Sequence, residues 1–155
     1  MNTSLLPFRQ KIVVPQLPAG YVLDENNRPS AEALNHLLKE CHETVHPSEI
    51  WKMAFANTVW HLSVIDENSG MLSGFVRATS DRALNINLWN LAALPGEHQE
   101  ELLSVLINRA LVTLRRDMPG CSFSVSAAPM AITSLKSQGF LVDPGGIRAM
   151  GLRLN

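Results

Sequence analysis

The chain has 155 residues, of which 46% are hydrophobic and 17% charged, and a formal net charge of −1. That length buries about 68–70% of the unfolded surface without staples, so one domain is expected, and the charge balance gives no reason to expect nucleic acid or a membrane surface as partner. The two cysteines, Cys41 and Cys121, match no ligand or disulfide spacing, residues 1–11 hold no continuous apolar core of the signal-peptide kind, and no window approaches 18 apolar residues, so a cytoplasmic domain is expected.

Residues 1–20 carry Pro7, Pro15 and Pro18 and read as an extended arm, with at most a short strand at 12–14. The folded domain is expected over 21–155, beginning with a strand at 21–23 that the DENNRP turn ends. Ser30 is a good N-cap for a helix carrying Leu34, Leu37, Leu38 and Cys41 at 3- and 4-residue spacing. Pro47 fits the first position of a second helix, with Ile50, Met53 and Ala54 as its apolar face. Residues 58–65 and 71–79 form β-rich runs joined by DENSG, which is hairpin chemistry. A third run covers 84–94 and leads through Pro95-Gly96 into a long helix reaching about Met118. CSFSVSA alternates serine with apolar residues, as a half-buried strand does. A short helix from about 129 to 138 ends at Gly139, a turn covers 144–146, and residues 147–154 are expected to close the chain as a strand. The order β–α–α–β–β–β–α–β–α–β points to a mixed α/β (α+β) domain with a largely antiparallel first half.

One formal motif is present: His42-Glu43-Thr44-Val45-His46 satisfies H-E-x-x-H. On a helix this spacing puts two imidazoles on one face, with the glutamate placed to act on a zinc-bound water. Here the pattern falls on the last turn of a helix and is followed at once by Pro47, and no third ligand can be named. Two histidines near a helix C-terminus account for it without a metal. Ser122, Ser124 and Ser126 read as the polar side of a strand, and no G-x-S-x-G elbow accompanies them. His61 reads as a satisfied strand histidine, and Trp60 and Trp89 as core or pocket wall. Arg77, Asp81 and Arg82 could bind an anion, although mutual pairing is the simpler expectation.

The segment GFVRATSDRALNINLWNLAALPG with the long helix after it resembles the GNAT-superfamily N-acetyltransferases, in particular their cyanobacterial and chloroplast-type members. Ala131, Lys136-Ser137, Gly139-Phe140 and DPGGIRAMG extend the resemblance, which covers about residues 58–152. It implies a GNAT-like single domain, a twisted, mostly antiparallel mixed sheet flanked by helices and splayed beside the apolar strand. It also implies acetyl-CoA as cofactor, its pantetheine held by backbone along that strand, including Leu91 and Ala93. Aligning the turn proline with Pro95 places His98, Gln99, Glu100, Glu101, Leu103 and Ser104 on the loop that holds the pyrophosphate in the family. Side chains thus replace the family's glycines at Gln99 and Glu101. A carboxylate about 5 Å from a phosphate charge costs on the order of 3 kcal/mol at an effective dielectric of about 20, before salt screening. Two such terms are comparable with the roughly 8 kcal/mol behind a micromolar complex. Glu97, Glu100 and Glu101 equally suit a first helical turn by complementing its dipole.

The family's Phe-Tyr pair on the closing helix, whose tyrosine protonates the departing thiolate, corresponds here to Ser134 and Leu135. The chain's one tyrosine is Tyr21, far away in sequence. Asn90 stands where the family often has an acidic residue, and an amide can position a water but not take its proton. Ser134, Ser126 and Cys121 are the candidate replacement donors. Three functions remain open. The chain could be an N-acetyltransferase acting on a small-molecule or protein amine. It could be a catalytically inactive GNAT-fold binding or regulatory module, with homo-oligomerisation open. The remote alternative is a zinc hydrolase using His42, Glu43 and His46.

Overall fold

The computed structural model describes residues 13–147 and 150–152. Its sheet consists of β1 (Tyr21–Asp24), β2 (Trp60–Asp66), β3 (Leu72–Ser80), β4 (Asn85–Ala93) and β5 (Ser122–Val125), lying side by side in chain order. The first four strands pair antiparallel, and β4 pairs parallel with β5. The parallel step needs a long crossover, supplied by α3 (Gln99–Asp117). Helices α1 (Ala31–Glu40) and α2 (Ser48–Ala56) lie between β1 and β2, and α4 (Ile132–Ser137) follows a 3-10 turn at Pro129–Ala131. The mixed, mostly antiparallel sheet flanked by helices is the architecture expected from the sequence.

Two apolar clusters cover the two faces of the sheet. Val64, Val76, Leu88, Leu103, Leu106 and Leu114 join β2, β3 and β4 to α3. Leu34, Leu37, Trp51, Phe55, Phe75 and Ala92 join α1 and α2 to the opposite face. Gly74 lets β3 pass close under α3, because an added Cβ would lie 3.2 Å from both Leu106 Cδ1 and Val64 Cγ2. Ser30 caps α1 as expected, its hydroxyl accepting the Ala33 N–H at 3.1 Å.

Several expectations need correction. In α2, Trp51 and Phe55 are buried, whereas Ile50 is 46% and Met53 65% exposed. Pro47 is the N-cap rather than the first helical residue. The large aromatic surfaces at i and i+4 outweigh the smaller aliphatic stripe. Helix α1 ends at Glu40, so His42-Glu43-Thr44-Val45-His46 is loop and not a last helical turn. Residues 13–14 are not a strand, and Ile12 and the rest of the arm lie outside the described residues. The expected strand at 147–154 is absent at 147 and 150–152, and its other positions lie outside the described residues.

Candidate functional site

Strand β4 changes character half-way along. Asn85 to Leu88 sit opposite Ser122 to Val125 on β5, and Ile86 and Leu88 anchor that half with 0% exposure. Beyond Leu88 the pairing with β5 stops. On the β3 side, Arg77 faces Trp89 and Phe75 faces Ala92, so Asn90 and Leu91 together oppose the single residue Val76. The extra residue is a β-bulge, and Asn90 takes it up with a left-handed backbone, φ 54°. Asparagine is among the few non-glycine residues that tolerate this conformation.

The Asn90 side chain is already engaged. Its Oδ1 accepts a 2.7 Å hydrogen bond from Arg77 Nε, and Arg77 also reaches Thr58 Oγ1 at 3.5 Å. Arg77 is half-buried, and burial lowers its pKa from the ordinary arginine value. The expected pairing of Arg77, Asp81 and Arg82 is not what forms. The Asp81 carboxylate instead accepts the backbone N–H groups of Ala83, Leu84 and Asn85, which hold it below the usual carboxylate range. A carboxylate two to four residues upstream of free amides satisfies them locally.

Where β4 leaves β5, a cleft of about 520 Å³ opens between Asn90, Leu91 and Ala92 on one wall and Val125, Ser126, Ala127 and Ala128 on the other. That volume lies within the range of small-molecule sites, about 300–1,000 Å³. Leu38 and Glu43, from the end of α1 and the turn after it, complete the lining. Among the described residues that line it, Glu43 alone is titratable.

The end of α1 is pinned to β4. Cys41 Sγ donates to Ala93 O at 3.2 Å, and its pKa is pushed up to about 11, first by burial and then by the nearby Glu43 carboxylate. The same carbonyl accepts Gln99 Nε2 at 2.9 Å, and Gln99 also contacts Met130 Sδ at 3.5 Å. Gln99 thus folds from the start of α3 back over the end of β4. His98, the N-cap, makes no side-chain hydrogen bond to the helix amides. It packs edge-on against Tyr21, with centroids 5.8 Å apart, and lies 3.4 Å from Glu101. The lone tyrosine, remote in sequence, therefore sits beside the start of α3. Glu97, Glu100 and Glu101 are all exposed, so solvent screens their charge, and the Gln99 side chain is the firmer obstacle.

A family-profile search finds no match for the chain. It is 28% identical over 131 residues to an uncharacterized N-acetyltransferase, ycf52, from Pyropia yezoensis, covering 83% of this chain and 74% of that protein. The ycf52 protein of Porphyra purpurea is 30% identical over 101 residues, covering 64% of this chain and 58% of the relative. A Staphylococcus aureus protein described as a probable acetyltransferase superposes with a TM-score of 0.77 at 14% identity, covering 86% of this chain and 99% of that one. The chain thus has the fold of these acetyltransferases and is similar in sequence to the ycf52 N-acetyltransferases. The parting of β4 from β5 is the splay that the sequence resemblance implied.

The remaining GNAT-derived positions divide into those near the cleft and those in the core. Leu91 lines the cleft, whereas the Ala93 carbonyl is taken by Cys41 and Gln99. Leu103 is fully buried beneath α3, and the Ser104 carbonyl accepts Gln138 Nε2 at 2.7 Å, so both serve helix packing. Ser134 is 1% exposed, and its hydroxyl donates to Glu100 O at 3.4 Å, which ties α4 to α3 outside the cleft lining. Leu135 is buried in the core. Ser126 does line the cleft, whereas Cys121 packs against the α3-side core. His42 is exposed in the loop, and His46 packs edge-on against Trp51, with centroids 5.5 Å apart, while its backbone binds Asn35. Among the described residues no group of three or more His, Cys, Asp or Glu side chains could hold a metal ion. Nor is any helix long and apolar enough to cross a membrane.

His61 departs from the satisfied histidine expected. It is 8% exposed, packs edge-on against Phe55, and its Nδ1 has no partner among the described residues. Burial, followed by the charge of Arg28, lowers its pKa, so it is held neutral. Sequence reasoning missed two features of the candidate site, the Arg77–Asn90 bond and the place of Glu43 on the cleft wall. The first had a signal in INLWNLAA, where the apolar alternation slips by one residue at Asn90. The second had none, because the turn that brings Glu43 to β4 depends on tertiary contacts.

Proposed function

We propose that this chain transfers an acetyl group from acetyl-CoA to a primary amine of a small molecule or protein, with weak hold on the donor's diphosphate. The observation that carries this reading is the cleft opened where β4 leaves β5 at the Asn90 bulge. Small side chains at Ala92, Ala127 and Ala128 leave room for a narrow arm, and unpaired strand edges offer backbone hydrogen bonds to amides. Leu91, Ala92 and Ala93 would line the pantetheine portion, and Ala93 O would accept an amide N–H once Gln99 moves aside. When bound, the donor supplies an activated acyl carbon and a thiolate leaving group. The chain's own part is to hold that carbon between the strands, exclude water and accept the amine's proton. The α3 end fits the donor less well. Its first-turn amides carry no side-chain cap, but Gln99 and the glutamates surround them.

That poor fit favours a second reading, a GNAT-fold binding module without catalysis. In it the Gln99–Ala93 bond is a permanent closure of the cleft, and the glutamates of α3 serve only its dipole.

Calorimetric titration with acetyl-CoA separates the two. The transferase reading expects binding, strengthened about tenfold by Gln99→Gly together with Glu101→Gly. Absence of heat at millimolar ligand in both proteins would sink it. Unchanged affinity in a variant that still binds would instead sink the role given to Gln99.

A further inference from the structure

We infer that Glu43 is the general base of the transfer, receiving the acceptor's proton directly or through one water at the wall of the cleft. This rests on the transferase reading above. It concerns a residue outside β4, where the resemblance would put the base and where Asn90 cannot accept a proton and already bonds Arg77.

Three observations converge on Glu43. It is the one titratable residue lining the cleft among those described, where it shares the lining with Asn90 and Ser126. Its backbone is fixed. His42 adopts φ 59°, the His42 N–H donates to Lys39 O at 3.0 Å, and the Glu43 N–H donates to Leu38 O at 2.8 Å. This two-bond wrap closes the helix end. The loop is held at both ends, by Cys41 on Ala93 O and by Asn35 binding the N–H and the carbonyl of His46. Finally, the carboxylate's charge is felt at Cys41, where it outranks Glu40 in raising the thiol pKa. Glu43 is exposed, so it meets solvent as well as the cleft that it lines.

The chemistry needs such a group. A primary amine with an ordinary pKa near 10.4 is almost wholly protonated at neutral pH, and only its free base attacks. One proton passes from the ammonium to the Glu43 carboxylate and on to water. The nitrogen lone pair then forms the C–N bond to the acyl carbon, and the C–S bond breaks with its electron pair on sulfur. The nitrogen's second proton goes to that thiolate, giving amide and thiol. General-base assistance of this kind is worth about 10²–10⁴-fold.

The test compares wild type, Glu43→Gln and Glu43→Asp in acetyl transfer from acetyl-CoA to n-butylamine across pH, alongside acetyl-CoA calorimetry. Glu43→Gln should lower kcat about 100-fold at neutral pH with unchanged donor affinity. The gap should close as pH approaches the amine's own pKa, and Glu43→Asp should recover part of the rate. A Glu43→Gln protein that binds acetyl-CoA and turns over at the wild-type rate overturns the proposal. Iodoacetamide labelling of Cys41 in a Cys121→Ser background reads the carboxylate's position without donor or acceptor. Labelling near pH 8 should quicken several-fold in Glu43→Gln as the thiol pKa falls, and unchanged labelling overturns the placement. If labelling quickens but no protein binds acetyl-CoA, the transferase reading falls and the base assignment with it, while Glu43 keeps its place.

Discussion

The two halves of β4 differ in how much of their edge the fold uses. The first half, Asn85 to Leu88, is paired on both sides and buries Ile86 and Leu88 completely. The second half is paired only with β3, contains the bulge, and gives its outer edge to a cleft. The first half shows what stability asks of a central strand, and the second shows where stability is given up. The concession is local: Arg77 holds the Asn90 side chain at the bulge, and Cys41 and Gln99 both bond the Ala93 carbonyl beyond it. A strand can thus be half scaffold and half site within nine residues.

The largest expected effect tests the scaffold half. Leu88→Ala should cost about 2–5 kcal/mol in urea unfolding, since a fully buried leucine leaves a cavity between β4 and α3. In the site half, Asn90→Ala should cost about 1–3 kcal/mol, because it removes the Arg77 acceptor and strains a left-handed backbone. Asn90→Asp keeps both the acceptor and the tolerance and should stay near wild type by the same measurement. If both substitutions left stability unchanged, the bulge would not be what holds the second half in place. Gln99→Ala should cost less, about 0.5–1.5 kcal/mol for one neutral, part-buried hydrogen bond. A larger loss on unfolding would mark Gln99 as structural in its own right.

The smallest effect lies on β2, away from both halves. His61 has a lowered folded pKa, so the folded state resists protonation and the unfolded state binds the proton first. The stability tied to its neutral form is complete above the ordinary histidine value of 6.5 and is lost as pH falls from there through the lower folded pKa. His61→Phe should flatten part of the fall in urea midpoint between about pH 7 and pH 5. An equal fall in wild type and variant would assign the acid sensitivity elsewhere.

The scaffold was legible in the sequence because its signals are local. Ser30 capped its helix, the DENSG turn joined β2 to β3, and the serines of CSFSVSA faced outwards on β5. The helix ending at Gly139 closed with Phe140 N–H donating to Leu135 O at 3.1 Å. The site was less legible because its contacts span long separations. Asn90 was singled out, but its engagement by Arg77 needed the β3–β4 register. Glu43 was read only within a metal motif, because nothing local shows that Cys41, 52 residues from Ala93, docks on that carbonyl. In α2 the pattern misled, since two aromatics outweighed a more regular aliphatic stripe.

The bulge also acts as a reading frame. Before it, the even-numbered residues Ile86 and Leu88 point toward α3; after it, the odd-numbered Leu91 and Ala93 do, while Ala92 turns to the α1 and α2 side. Were Asn90 to take a regular place in the pleat, every later side chain of β4 would be transposed, with Leu91 toward α1 and α2 and Ala92 toward α3; deleting it would leave them on their present faces. The phase of everything between Asn90 and Pro95 thus depends on one residue staying out of the pleat, which makes the bulge a requirement of both layers and not of the cleft alone.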